Sequence, residues 1–193
     1  MRGGQWSIEE PVIWGQIPPK GELYVFMWYV IYVKNGHEEE SAEILKRLVL
    51  KEGEDAFVMM AVRMFRVKKE WQEVKRAAFP NYVFVVTEDT DDFRIRMKKV
   101  LPEAWMLRVG DDVSPISKEE ETMLTVLGGE EHCLWPVRCC QEGSRVRITE
   151  GPMAGRAGIL KWVNVRQRIA GISLQLFGQE TVVKIGIEVV REV

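Results

Sequence analysis

The sequence predicts an α+β protein in two unequal parts, an antiparallel sheet with helices packed against it followed by a small all-β barrel. Three observations lead there. Apolar runs of strand length alternate with helical periods up to about residue 127. Short alternating runs separated by turn glycines fill the chain from residue 142 onward. Charge changes at the same place: residues 142–193 hold eight Lys and Arg against five acids, a basic segment behind an overall formal charge of −2.

The first apolar run, Leu23 to Val33, is too short to span a bilayer. It has no basic segment before it and no small-residue cleavage site after it. Rich in Val, Ile, Tyr, Trp and Phe, it reads as a central strand of a cytoplasmic protein, buried on both faces. Residues 1–26 hold scattered Trp, Pro and Gly without a period. They read as a poorly ordered extension or a start-site artefact, with the biological start expected at Met27. Asn35-Gly36 turns the chain into a helix over His37 to Leu50. Glu38, Glu39 and Glu40 come early and Lys46 and Arg47 late, the order the helix dipole favours, and Ile44, Leu45 and Leu48 make its apolar stripe.

Residues 56–70 are strand-like and end in a basic stretch, through Arg76, expected to be mobile. Phe79 to Val86 is a second strongly apolar strand, broken by the acidic turn Glu88 to Asp92. A second helix carries Phe93, Met97, Val100 and Leu101 at helical spacing and stops at Pro102. A third starts at Ser117, with Glu120 completing a capping box and Met123, Leu124 and Leu127 facing inward. Gly128-Gly129 opens an aperiodic linker. The expected division is a first domain over 27–127, a linker over 128–141 and a barrel over 142–193.

Catalysis finds no support in the residue inventory. Cys133, Cys139 and Cys140 are odd in number and include an adjacent pair, which suits neither a disulfide framework nor a zinc site; they read as free thiols in a reducing compartment. The only histidines are His37, in a turn, and His132, in the linker beside Cys133, where sequence neighbours rarely face each other to activate a thiol. No glycine-rich phosphate loop or metal-ligand cluster is present. No cofactor and no metal are expected.

Two stretches resemble one family. Trp28-Tyr29-Val30 runs into Asn35-Gly36-His37-Glu38, and Phe79-Pro80-Asn81-Tyr82-Val83-Phe84-Val85 follows some forty residues later. This is similar to the amino-terminal domain of NusG-like transcription factors, with Asn81 where Gly is usual; both tolerate a left-handed backbone. Gly143 to Gly158 (GSRVRITEGPMAGRAG) resembles a KOW motif, and Phe177-Gly178 with Thr181-Val182-Val183 is similar to the last hairpin of the SH3-like KOW barrel. The resemblance implies a monomer that binds the clamp helices of RNA polymerase through an apolar pocket and suppresses pausing. By motif, the contact residues are Tyr29, Phe79, Pro80, Tyr82 and Phe84. Alternate strand residues point to opposite faces, so Tyr82 and Phe84 share one face and Val83 and Val85 the other, and a core role competes with the interface role.

The strand and turn after the KOW motif, Leu160 to Arg168 (LKWVNVRQR), carry basic groups and a tryptophan where a general NusG barrel has acids. This pattern resembles the LoaP branch of the family, antiterminators of long biosynthetic operons that recognise a leader RNA hairpin. Lys and Arg neutralise phosphates, and an exposed indole stacks on unpaired bases. The candidate RNA-binding residues are Arg145, Arg147, Arg156, Lys161, Trp162, Arg166 and Arg168. Arg145 and Arg147 alternate with Val146 and Ile148, which places both on the outer face. The alternative within the family is a housekeeping elongation factor whose barrel meets a ribosomal protein or Rho, with Phe177 in the contact.

Overall fold

The computed structural model describes residues 26–142, 145–154 and 159–191, the side chains of residues 67, 141, 142, 145 and 191 excepted. Apart from Phe26, the expected extension lies outside them. The α+β architecture is the one expected.

Strand β1 (Met27–Tyr32) lies inside a four-stranded sheet with β2 (Asp55–Phe57), β5 (Tyr82–Thr87) and β6 (Trp105–Met106), in the order β2-β5-β1-β6. All its pairings are antiparallel. Helices α1 (Glu38–Leu48) and α2 (Thr90–Val100) cover one face, where Tyr29, Ile31, Val83 and Val85 meet Leu45, Phe93 and Met97. The buried stripe of α1 runs through Glu38, Ser41, Ala42 and Leu45 and continues to Val49. Leu48, expected on that stripe, falls past its edge and is 58% exposed. Asp89 caps α2, its carboxylate accepting from the Asp91 and Asp92 N–H groups at 3.1 and 3.0 Å.

The capping box expected at Ser117 is present at the start of α3 (Lys118–Gly128). The Ser117 hydroxyl accepts from Glu120 N–H at 3.2 Å, and the Glu120 carboxylate accepts from Ser117 N–H at 2.8 Å. Leu124 and Leu127 are buried as expected, while Met123 is only half-buried.

Two expectations fail on strand pairing. The stretch through Arg76, expected to be mobile, is a regular hairpin of β3 (Met60–Val67) and β4 (Glu70–Ala77), paired from Met60↔Ala77 to Val67↔Glu70. Cross-strand pairing overrides the weak apolar period there. A two-stranded ribbon, β7 (Arg108–Val109) with β8 (Asp112–Val113), precedes α3. The stretch 128–141, read as aperiodic, contains β9 (Cys133–Leu134), parallel to β3, and most of β10 (Val137–Glu142).

Strand β10 belongs to the second sheet, with β11 (Arg145–Ile148), β12 (Leu160–Asn164), β13 (Ile169–Leu176) and β14 (Gln179–Arg191), in the order β11-β10-β14-β13-β12. Its inner face carries Cys139, Ile148, Ile172, Leu174, Val183, Ile185 and Ile187, all buried. Among the described residues β11 and β12 do not pair, so the expected barrel is a curled half-barrel. All three cysteines are free and buried, and burial pushes the Cys133 and Cys139 thiols up. No helix among the described residues is long and apolar enough to cross a membrane.

One ionic network locks the helical side of the first sheet. Arg96 of α2 grips Glu54 through two bonds of 2.8 and 2.9 Å, bonds Asp92 at 2.8 Å, and donates to the Val49 carbonyl. Glu54 also accepts from the Thr87 hydroxyl at 2.7 Å and from Lys51 N–H at 2.8 Å. Burial alone would raise the Glu54 pKa; the Arg96, Lys51 and Thr87 bonds outweigh it and hold the carboxyl below its ordinary value. Arg96→Met would leave Glu54 buried without its cation, and a loss of about 3–5 kcal/mol in urea-unfolding free energy is expected. Chemical denaturation at neutral pH checks this, and a loss under 1 kcal/mol (about the scale of an exposed pair) would reject it.

Candidate functional site

Period-two alternation on β1 and β5 decides which aromatic side chains share a surface. Trp28 lies opposite Val86, Val30 opposite Phe84 and Tyr32 opposite Tyr82, so these six take one face. Tyr29 lies opposite Val85 and points the other way, into the core under the helices, where burial pushes its phenol pKa up. The structure therefore does not bring the five expected contact residues together. Phe79, Tyr82 and Phe84 share a cluster, Pro80 is exposed beside it, and Tyr29 is separated from them by the sheet.

The turn entering β5 is built as its residue types suggest. Asn81 adopts φ +72°, the left-handed conformation expected where Gly is usual. Its amide N–H donates to buried Glu38 at 2.7 Å, and its side chain donates to the Val33 carbonyl at 3.1 Å. Two chain-distant elements thus fix the Phe79-Pro80-Asn81-Tyr82 corner.

At one end of this face, Phe84 is fully buried. It stacks on Phe57 at 5.5 Å and meets Phe79 edge-on at 5.8 Å, and Trp28 meets Phe57 edge-on at 4.8 Å. His132 stacks on the Phe57 ring at 3.6 Å. Ile116, Leu124, Leu127 and Leu134 belong to the same cluster, which runs on into the interior of the half-barrel. At the other end the aromatics are open: Trp105, 51% exposed, stacks on Tyr32 at 4.4 Å, and Tyr32 meets Tyr82 at 6.2 Å. The motif contains Trp28 without marking it as a contact, and Phe57, Trp105 and His132 lie outside it. Trp28 was recoverable from strand alternation, two residues before Val30; Phe57, Trp105 and His132 arrive from distant elements.

The seven expected RNA contacts are also divided. Arg156 and the Arg145 side chain lie outside the described residues. Arg147 is exposed on the outer face, as expected. Lys161 is ion-paired with Glu180. Trp162 is 38% exposed, and its ring also lies over Gly171, where an added Cβ would lie 2.3 Å from Nε1. Arg166 and Arg168 stand exposed in the turn between β12 and β13, Arg168 at φ +53° and 4.8 Å above the Trp71 ring of the β3–β4 hairpin. Phe177 is half-buried on a cleft of about 980 Å³ that Met123, Ile116 and Ile159 also line.

Comparisons with known proteins point to one family. The family model described as "NusG: Transcription termination factor nusG" matches residues 26–125. The transcription termination/antitermination protein NusG of Neisseria meningitidis serogroup B is 30% identical over 177 residues, covering 86% of this chain and 97% of that one. The protein of the same description from Haemophilus influenzae is 30% identical over 168 residues, covering 82% and 89%. A solved structure of Thermotoga maritima NusG, reported for its domain interaction, aligns with 83% of this chain and 93% of its own at 22% identity and a TM-score of 0.48.

His132 gives this cluster an acid limit. Burial among Trp28 and Phe57 lowers its imidazole pKa below the ordinary 6.5, and the buried Nδ1 has no partner. The neutral ring is the folded form, so the unfolded chain takes up the proton first as pH falls. Stability is full above about 6.5 and declines below it until the depressed folded pKa is reached. His132→Phe, which keeps the stacked ring, should flatten the decline between pH 7 and 5 (roughly the span of an unperturbed histidine titration). Unfolding free energies across that range test it, and an unchanged slope would refute the assignment.

Proposed function

The chain belongs to the NusG family of transcription termination and antitermination factors, and from that premise we propose that it is a specialised member promoting antitermination of particular long operons through a leader RNA hairpin. The family is one of non-enzymatic transcription factors, and its membership implies RNA polymerase binding. In this reading the clamp helices of polymerase meet the Phe79–Phe84 corner, and the half-barrel holds emerging RNA.

The observation that carries the RNA part is the β12–β13 turn. Arg166 and Arg168 are exposed there and make no ion pair with any described residue, whereas Lys161 and Arg138 are already paired with acids. Unpaired cations on a small β domain are an electrostatic footprint for phosphate. What supports the polymerase part is the Tyr82–Tyr32–Trp105 end of the aromatic face, open to a partner beside exposed Pro80. Aromatic side chains give large contact area at low entropic cost in an interface core.

Two measurements test the two parts. Tyr82→Ala should lower affinity for elongating polymerase by at least about tenfold, the scale of an interface anchor, with the fold intact by circular dichroism; an unchanged pull-down would reject the corner as the contact. In transcription through a terminator, read-through should rise only when the native upstream leader is present. Equal read-through without the leader, with no gel shift of leader RNA at moderate salt, would favour the housekeeping alternative.

A further inference from the structure

We infer that the RNA surface is composite: the β3–β4 hairpin of the first half and the β12–β13 turn of the second grip one RNA segment together. The inference rests on the RNA-binding reading above and adds residues that the sequence did not associate with it. The hairpin carries six basic residues, Arg63, Arg66, Lys68, Lys69, Lys75 and Arg76, against the acids Glu70 and Glu73. Its tip is the most exposed part. Lys68 and Lys69 occupy consecutive left-handed positions at φ +48° and +73°, and Arg66 closes the turn by donating to the Lys69 carbonyl at 3.4 Å.

The crossing of the two halves fixes where that tip lies. Gly186 of β14 sits under β3 so closely that an added Cβ would lie 2.7 Å from the Val62 carbonyl oxygen. Ile169 is the β13 partner of Gly186, so the β12–β13 turn begins one residue from the crossing. From Val62, four residues of β3 carry the chain about 13 Å toward the tip. There Arg66 pairs with Trp71, and the Trp71 ring meets Arg168 from the turn at 4.8 Å.

Two cationic tips from separate sheets are thus joined by a guanidinium on an indole. No described carboxylate forms an ion pair with Arg66, Lys68, Lys69, Arg166 or Arg168. Gathering like charges that form no ion pair is unfavourable for an isolated protein and favourable beside a polyanion. The cations neutralise phosphates of a strand lying across the junction. Trp71, half-buried with Arg168 over it, offers an unpaired base either the indole or the guanidinium plane.

The test is fluorescence anisotropy of the full chain with a labelled RNA hairpin carrying single-stranded flanks, and with DNA of the same sequence, at several salt concentrations. The double variant Lys68→Asn, Lys69→Asn keeps residues that tolerate the left-handed backbone. It should bind RNA about tenfold more weakly and reduce the slope of log affinity against log salt by about 1.5, two phosphate contacts. Trp71→Ala should weaken binding at least about fivefold. Gly186→Val, which removes no charge, should also weaken it by driving the halves apart. Lysine and tryptophan variants that bind as wild type, while Arg166→Ala binds weakly, would overturn the composite grip and leave the half-barrel as sole RNA site. Wild-type protein that fails to bind RNA, or that binds the DNA equally well, would overturn the RNA reading itself.

Discussion

Strand β1 is covered on both sides, and that constraint organises the molecule. Successive side chains of a strand must point to opposite faces, so Tyr29 and Ile31 go to the helices and Trp28, Val30 and Tyr32 to the other side. The helix side is closed by Leu45, Phe93 and Met97. The other side is more aromatic, and each fully buried Phe there contributes roughly 2–3 kcal/mol only while water is kept out. α3 and β9, which lie in the chain between the two sheets, bring Leu124, Leu127 and Leu134 to that cluster, and it continues into the half-barrel.

The second sheet is attached by close backbone approach as well as by the shared buried cluster. β9 is paired with β3 and β10 with β14, and only Trp135 and Pro136 separate β9 from β10. The chain therefore passes from one sheet to the other in two residues, with no slack for a tether. Gly186 is needed at the crossing because any side chain would strike the Val62 carbonyl and the Pro136 ring, at 2.7 and 3.2 Å. Trp135, nearly half exposed, is held by Lys75 of the hairpin at 5.1 Å, a cation–π contact worth about 0.5–1 kcal/mol at such a site.

Local chemistry was legible in the sequence and long-range pairing was not. The Ser117–Glu120 capping box, the left-handed Asn81 and the inward Phe93 and Met97 follow from spacing and residue type, and each stands in the structure. The β3 strand was legible, but its pairing with β4 was not, because the alternation is blurred by basic residues on both faces, Arg63 and Arg76 on one, Arg66 and Lys75 on the other. Cys133 to Gln141 looked aperiodic because β9 pairs with β3 and β10 with β14, fifty or more residues away, and only the end of β10 pairs locally, with β11. The candidate site residues are divided between surfaces for the same reason. The motif groups Tyr29 with Phe84 as contacts although the strand register puts them on opposite faces, and the Trp162 ring over Gly171 is a cross-strand contact.

The two proposed partners make different demands on the aromatic face. Reaching Phe84 means parting Trp28, Phe57 and Phe79, and their cluster is continuous with the half-barrel interior. A grip on polymerase through Phe84 would therefore strain the junction that aligns the two cationic tips, so it would weaken a composite hold on RNA. Pro80, Tyr82, Tyr32 and Trp105 are accessible with the junction intact. A factor that engages both partners at once is better served by that open end, where binding covers surface already exposed and leaves Gly186 seated against Val62. On this argument the proposed polymerase contact would use the Pro80 and Tyr82 side of the corner with the Tyr32–Trp105 stack, leaving the buried phenylalanines to hold the two sheets in register.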